Sequence, residues 1–234
     1  MYKNTLQRIQ HIGYIHDEKF CKNKTKQTII NLGCNCNKDD AYLYIINNEE
    51  KIKEVHLLDC APNAIEKCKQ LYKESVSPEF FEKIHFHHYA IVENPEVETV
   101  NMYYPVDDDT SGFSSTLPSM VAINSKNDIV ELEVPAITIN NFFKKIQVQE
   151  INRLYIDLEG LDGKILLDLD FDKYYVPYIM YEHLHLDGCN NYKPQNPSVS
   201  SLIHNKLSMY HYKVYAYGPW NGLAISAFAD LQHI

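Results

Sequence analysis

The sequence predicts an α/β fold: a mostly parallel sheet with helices on both faces. Three observations lead there. Short apolar, β-branched runs alternate with amphipathic stretches through most of the chain. The first of these runs ends in a glycine turn that opens a helix. The last segment, "HYKVYAYGPWNGLAISAF" (211–228), reads as two strands around a Gly/Pro/Asn turn, so an antiparallel strand closes the sheet.

The elements follow in order. "QTIINLG" (27–33) is a buried strand, and "DDAYLYIINN" (39–48) carries helical apolar spacing. "EVHLLDC" (54–60) is a second buried strand. In "PNAIEKCKQLYKE" (62–74), Pro62 suits a helix start, and Ile65, Cys68, Leu71 and Tyr72 share one face. "KIHFHHYAIV" (83–92) reads as a third strand, with His85, His87 and His88 as packing residues of the sheet. "ETVNMYYPV" (98–106) is extended but outside the simple alternation, and the polar loop 107–119 follows. "IVELEVPAITI" (129–139) is extended and "NNFFKKI" (140–146) is a short helix. "INRLYIDLEG" (151–160) is a buried strand ending in acids, followed by a helix over 161–169. "YVPYIMYEHL" (175–184) is another acid-terminated strand, and a helix is expected near 199–209.

Composition narrows the function classes. The 234 residues, 45% hydrophobic, suffice for one sizeable core, so a single domain over 1–234 is expected, with 27–228 as its body and 1–26 as an N-terminal extension. Lys and Arg number 22 against 31 Asp and Glu, a net charge of −9, which disfavours a polyanionic partner such as nucleic acid. No apolar run has the length of a membrane span, and the first twenty residues carry no export signal. The six cysteines form no regular framework and are read as reduced thiols of a cytoplasmic protein.

In such sheets, ligands bind beyond the carboxyl ends of the strands. Those ends carry Asn31 to Asn35, Asp59, Ala90, Asp157 with Glu159, and Glu182 with His183. Gly33 permits a tight turn and a close backbone approach. Asp59 ends the next strand, 26 positions later, where an acid accepts hydrogen bonds from ribose hydroxyls in cofactor-binding folds. A plain strand–helix turn explains the same residues. A zinc site at Cys34 and Cys36 is a third reading, but no second Cys or His pair stands at recognisable spacing. Asp157, Glu182 and His183, with His185 nearby, have the ligand chemistry of a divalent metal such as Mg.

Several segments, in order, carry a family resemblance. "INLGCNCN" (30–37) is similar to a loop of the form D-I-G-A-N-x-G, and "HLLDCAP" (56–62) to a strand-end E-P-x-P. "HHYAIVE" (87–93), "SGFSST" (111–116), "VPAITINNFF" (134–143) and "IMYEHLH" (179–185) match further motifs. "LYIDLEGLDGKIL" (154–166) closely resembles L-K-I-D-V-E-G-x-E-x-x-V-L. Together these resemble the FkbM-type methyltransferases, class I enzymes that use S-adenosylmethionine.

The resemblance implies a Rossmann-like, seven-stranded sheet and methyl transfer to a hydroxyl of a sugar, glycan or related small molecule, leaving S-adenosylhomocysteine. It implies cofactor contacts at Asn31, Gly33, Cys34, Asn35, Asp59, Cys60, Tyr89, Ala90 and Asp157. Asp157, Glu159, Glu182 and His183 are then the candidates for the base and for acceptor positioning. Asp157 and Glu159 face the same side if the strand runs through both. Work beside a glycosyltransferase, or as a homo-oligomer, is the partner expectation. Four departures stand out: Asn31 for an acid, Asn37 for a glycine, Tyr155 for a lysine and Cys60 for a proline. They set a cofactor-binding or interaction module without catalysis as the alternative reading. A nucleic-acid methyltransferase is the runner-up among enzymes.

Overall fold

The structure is a computed structural model that describes residues 26–35, 38–105, 128–148, 150–158, 160–187, 198–217 and 221–227. Its main sheet contains β1 (Gln27–Leu32), β2 (Ile52–Asp59), β3 (Ile84–His88), β7 (Arg153–Ile156), β8 (Tyr178–Glu182), β9 (Tyr212–Tyr217) and β10 (Asn221–Ser226). Their order is β3-β2-β1-β7-β8-β10-β9. Every pair from β3 to β8 is parallel; β10 runs antiparallel to both of its neighbours. This is the Rossmann-like class I methyltransferase order with its C-terminal hairpin.

A second sheet places β6 (Ile129–Ile137) between β4 (Ala90–Ile91) and β5 (Thr99–Pro105). The helices are α1 (Asp40–Ile46), α2 (Pro62–Ser75), α3 (Pro78–Phe81), α4 (Ile139–Lys145), α5 (Asp162–Asp168) and α6 (Val199–Met209).

Strand alternation sorts the core into two layers. Ile30, Leu32, Leu58, Leu154, Ile156 and Ile179 face Phe142, Ile165 and Ile203 on α4, α5 and α6. Ile29, Val55, Leu57 and Tyr155 face Tyr42, Ile45, Ile65 and Cys68 on α1 and α2. β1 is buried along its whole length because it is covered on both faces. Side chains start several helices where the sequence offers caps. Asp39 accepts from the Tyr42 N–H at 2.7 Å, Thr138 from Asn141 and Ser198 from Ser201. Pro62 occupies the first turn of α2, where its missing N–H costs nothing.

Three local expectations need correction. The strand expected over 83–92 is divided at Tyr89: residues 84–88 join the main sheet and 90–91 the second. The strand expected over 151–160 stops at Ile156, so the condition for Asp157 and Glu159 to share a side is not met. Helix α3 was absent from the reading although Ser77-Pro78 is a cap followed by a first-turn proline. The loop motif at 111–116, most of 187–198, Trp220, Cys36, Asn37, Glu159 and the first 25 residues lie outside the described residues.

Candidate active site

The chain order reverses between β1 and β7, and ligands of open α/β sheets gather beyond such a reversal. Two segments meet there. Gly33 has φ +78°, and a Cβ on it would stand 1.8 Å from the Asp157 carbonyl oxygen. Only glycine lets the turn lie this close to the next strand. The N–H groups of Gly33 and Cys34 both donate to the Leu58 carbonyl, at 2.9 and 3.0 Å. Asn35, with φ +32°, donates its N–H to Asp59 Oδ2 at 2.9 Å. The other carboxylate oxygen accepts from the Ala61 N–H at 2.9 Å. Asp59 therefore clamps the loop after β1 to the start of α2. Burial raises its carboxyl, and the N–H groups of Ala61, Asn35 and Cys60 oppose the rise.

Further acids surround this clamp. Asn31 is buried on the α1 side of β1 and hydrogen-bonds the Asp39 carboxylate. Asp39 is pushed up to about 6, mainly by burial and then by the charges of Asp157 and Asp40; the Tyr42 N–H and Asn31 work against that. Asp157 keeps its side chain exposed at the strand ends, yet the surrounding protein and then Asp59 raise it. Asp162 is fully buried. It accepts from the N–H of Leu158 and of Glu182, each at 3.1 Å, and so ties the carboxyl ends of β7 and β8 together. Burial and the Asp157 charge hold its carboxyl well above the ordinary range. Each buried like charge disfavours ionisation of the next, and a bound cation would relieve all of them.

The remaining expected residues distribute as follows. Ile156 pairs with Tyr181, so Asp157 and Glu182 are the next positions along neighbouring strand ends. Glu182 is half-buried, with Oε1 3.7 Å from His185 Nε2; burial lowers the His185 pKa. His183 follows β8 directly and is half-buried. Tyr89 donates its N–H to the Asp59 carbonyl at 3.1 Å, and Ala90 is buried in β4. The Cys60 carbonyl lies 2.8 Å from His88 Nε2. Cys34 brings its backbone to the loop, but its buried thiol turns away to a hydrogen bond with Cys68 on α2.

Asp157, Glu182 and His183 do not bring three ligand atoms together. Among the described residues the group that does is Glu54, His56 and His85. The metal expectation for the strand-end set therefore finds no support here: Glu182 leans towards His185, while Asp157 stands beside Asp59 and Asp39.

The model of the methyltransferase FkbM domain matches residues 10–193. The chain belongs to the FkbM methyltransferase family. No curated protein matches it. Among solved structures, the FkbM methyltransferase from Methylobacillus flagellatus shares 13% identity with this family member at a TM-score of 0.49. The match covers 86% of this chain and 43% of that one, so this chain spans less than half of that relative. The methyltransferase domain of bacterial CtHen1 gives 9% identity, coverage of 95% and 98%, and a TM-score of 0.45. TrmK of M. capricolum, solved with S-adenosylhomocysteine, gives 10% identity, 92% and 68% coverage, and a TM-score of 0.39.

Two residues of this FkbM-family site escaped the sequence reading. Asp39 reads as an ordinary helix cap until its depth and its bond to Asn31 are seen. Asp162 had a signal, since it fills the third acidic position of the matched motif at 154–166.

Proposed function

We propose that this chain is an S-adenosylmethionine-dependent O-methyltransferase acting on a hydroxyl of a sugar, glycan or related small molecule. One observation carries the reading: the Gly33 turn, set against Asp157 and clamped through Asn35 to Asp59, has the build of a nucleotide-cofactor loop at the sheet's reversal point. The donor set fits a cationic methyl donor. Asn31 brings no charge where the family motif has an acid, but its hydrogen-bond partner Asp39 places a carboxylate beside it. Asp59 is the acceptor for ribose hydroxyls, and Asp39 with Asp157 complements positive charge. When bound, the cofactor supplies an electrophilic methyl group for in-line displacement.

The chain's own task is to hold the acceptor hydroxyl in line and take its proton. Asp157 is suited to that: it is exposed, it directly follows β7, and its pKa is raised, which makes a stronger base than an ordinary carboxylate. Glu182 and His183, on the neighbouring strand end, are the further candidates for base or acceptor contact, as is Glu159, two residues after Asp157 in sequence. The acidic net charge supports a neutral acceptor over nucleic acid.

Calorimetric titration with S-adenosylmethionine and S-adenosylhomocysteine tests the cofactor half. Micromolar binding that is lost in Asp59→Ala supports it; no binding by folded wild type removes it. Transfer of labelled methyl to a glycan panel tests the acceptor half. Asp157→Asn should lower the turnover number at least a hundredfold while cofactor affinity changes far less. A panel in which only RNA is labelled would overturn the glycan assignment.

A further inference from the structure

Three histidines and a glutamate project from the face of β2 and β3 that also meets α4. His56 and His85 are direct partners across the two parallel strands. Glu54 precedes His56 by two residues and His87 follows His85 by two, so strand alternation puts all four on one face. One ligand atom each from Glu54, His56 and His85 lie within 4.8 Å of one another. The rings of His56 and His85 stack at 4.9 Å, and those of His56 and His87 at 5.3 Å.

The hydrogen bonds select which atoms remain available. His56 is 5% exposed, and its Nδ1 lies 3.1 Å from His87 Nε2. Its Nε2 is buried with no hydrogen-bond partner. A buried imidazole nitrogen left without a partner is costly. An Nδ1–H donated to His87 would leave Nε2 as a bare lone pair, which is the state of a metal-bound histidine oriented by its other nitrogen. Glu54 is oriented in a similar way: Thr28 Oγ1 and Lys53 Nζ both donate to its Oε1, at 3.2 and 3.0 Å. His87 is itself held in place by Phe142, at 5.0 Å edge to face.

We propose that Glu54, His56 and His85 form a binding site for a divalent transition metal of the zinc type, with His87 and Thr28 orienting its ligands. Two imidazoles and one carboxylate are borderline ligands that suit zinc over magnesium or calcium. Tetrahedral zinc needs ligand atoms about 3.3 Å apart, which small rotations of exposed His85 and half-buried Glu54 supply. Three protein ligands leave a fourth position for water. The ion would join the edge strand β3 to β2, the strand that ends in Asp59.

Zinc titration of the chelator-stripped full chain tests this, with binding read by calorimetry and by the thermal midpoint. One equivalent should bind and raise the midpoint. His85→Ala and Glu54→Gln should each weaken affinity at least tenfold, whereas exposed His204→Ala should leave it unchanged. The cobalt form should show visible absorption bands that disappear in His85→Ala. Both variants change partly or fully exposed groups, and circular dichroism establishes that they are folded. Absence of stoichiometric binding overturns the site. Binding that survives both variants, or that is lost on Glu182→Gln instead, overturns it as well.

Discussion

The carbonyl oxygen of Asp157 occupies the place where a side chain at Gly33 would begin, 1.8 Å from the position of its Cβ. The contact joins the β1 turn to the end of β7 across the reversal of the sheet. Gly33→Ala must push these strands apart and also hold φ +78° with a side chain. A loss of about 3 kcal/mol or more is expected in urea unfolding, with loss of cofactor binding in whatever fraction stays folded.

Asp162 supports the site without facing it. Asp162→Ala leaves the N–H groups of Leu158 and Glu182 buried and unmatched, at about 1–3 kcal/mol each. Asp162→Asn keeps an acceptor for one of them and should cost about half as much. Because both bonds hold strand ends, turnover should fall in step with stability across the two variants. Chemical denaturation beside steady-state kinetics reads both.

The hydrogen bond between Asn31 and Asp39 predicts the effect of restoring the family's acid. Asn31→Asp replaces a donor with a second carboxylate against Asp39, so it should weaken cofactor binding roughly tenfold at neutral pH rather than improve it. Titration of the variant with S-adenosylmethionine decides the sign. Improved binding would favour the non-catalytic reading, in which the missing acid is the defect.

Asp39 also has a pH signature. Its folded pKa of about 6 exceeds its ordinary 3.8, so between those values the folded chain holds a proton that the unfolded chain does not. Its contribution to stability is therefore full below about pH 4 and is lost as pH rises through 6. His56 and His87, lowered to about 4, act in the opposite direction over the same range and mask this in the total curve. The difference between Asp39→Asn and wild type isolates it. The variant, which keeps a capping side chain, should be more stable by about 1–2 kcal/mol at pH 7.5, with the gap closing towards pH 4. Cofactor affinity of the wild type should rise with pH through 6 as the carboxylate ionises.

The thiols offer an independent check of the loop. Cys34 and Cys68 are buried and hydrogen-bonded to each other, which raises the Cys34 pKa, whereas Cys60 is half-buried. Alkylation followed by peptide mass spectrometry should label Cys60 at least tenfold faster than Cys34 in the native state. Equal rates would mean that the loop after β1 opens readily.

Much of this was legible in the chain because strand alternation, glycine turns and capping residues are local signals. The apolar runs located β1, β2, β7, β8 and the terminal hairpin, and the acids at their ends located the site's edge. What local pattern could not give was depth and direction. Cys34 sits in the loop by sequence but points into the α2 layer. Asp39 and Asp162 read as helix-start acids until the fold half-buries the first and buries the second between elements distant in the chain. The split of the 83–92 run was hidden for a similar reason: its β-strand character is continuous, and only the partners of its two halves differ. The histidines in that run read as packing groups, because the sequence does not show that His56 lies directly across from His85.

That split has a mechanical side. Tyr89 is the sole residue between a strand of the main sheet and a strand of the second, and its N–H is fastened to the carbonyl of Asp59. A joint one residue long has almost no slack. If the three-stranded sheet swings when an acceptor arrives, the motion reaches the cofactor clamp directly, and Asp59 would be among the first residues to feel it.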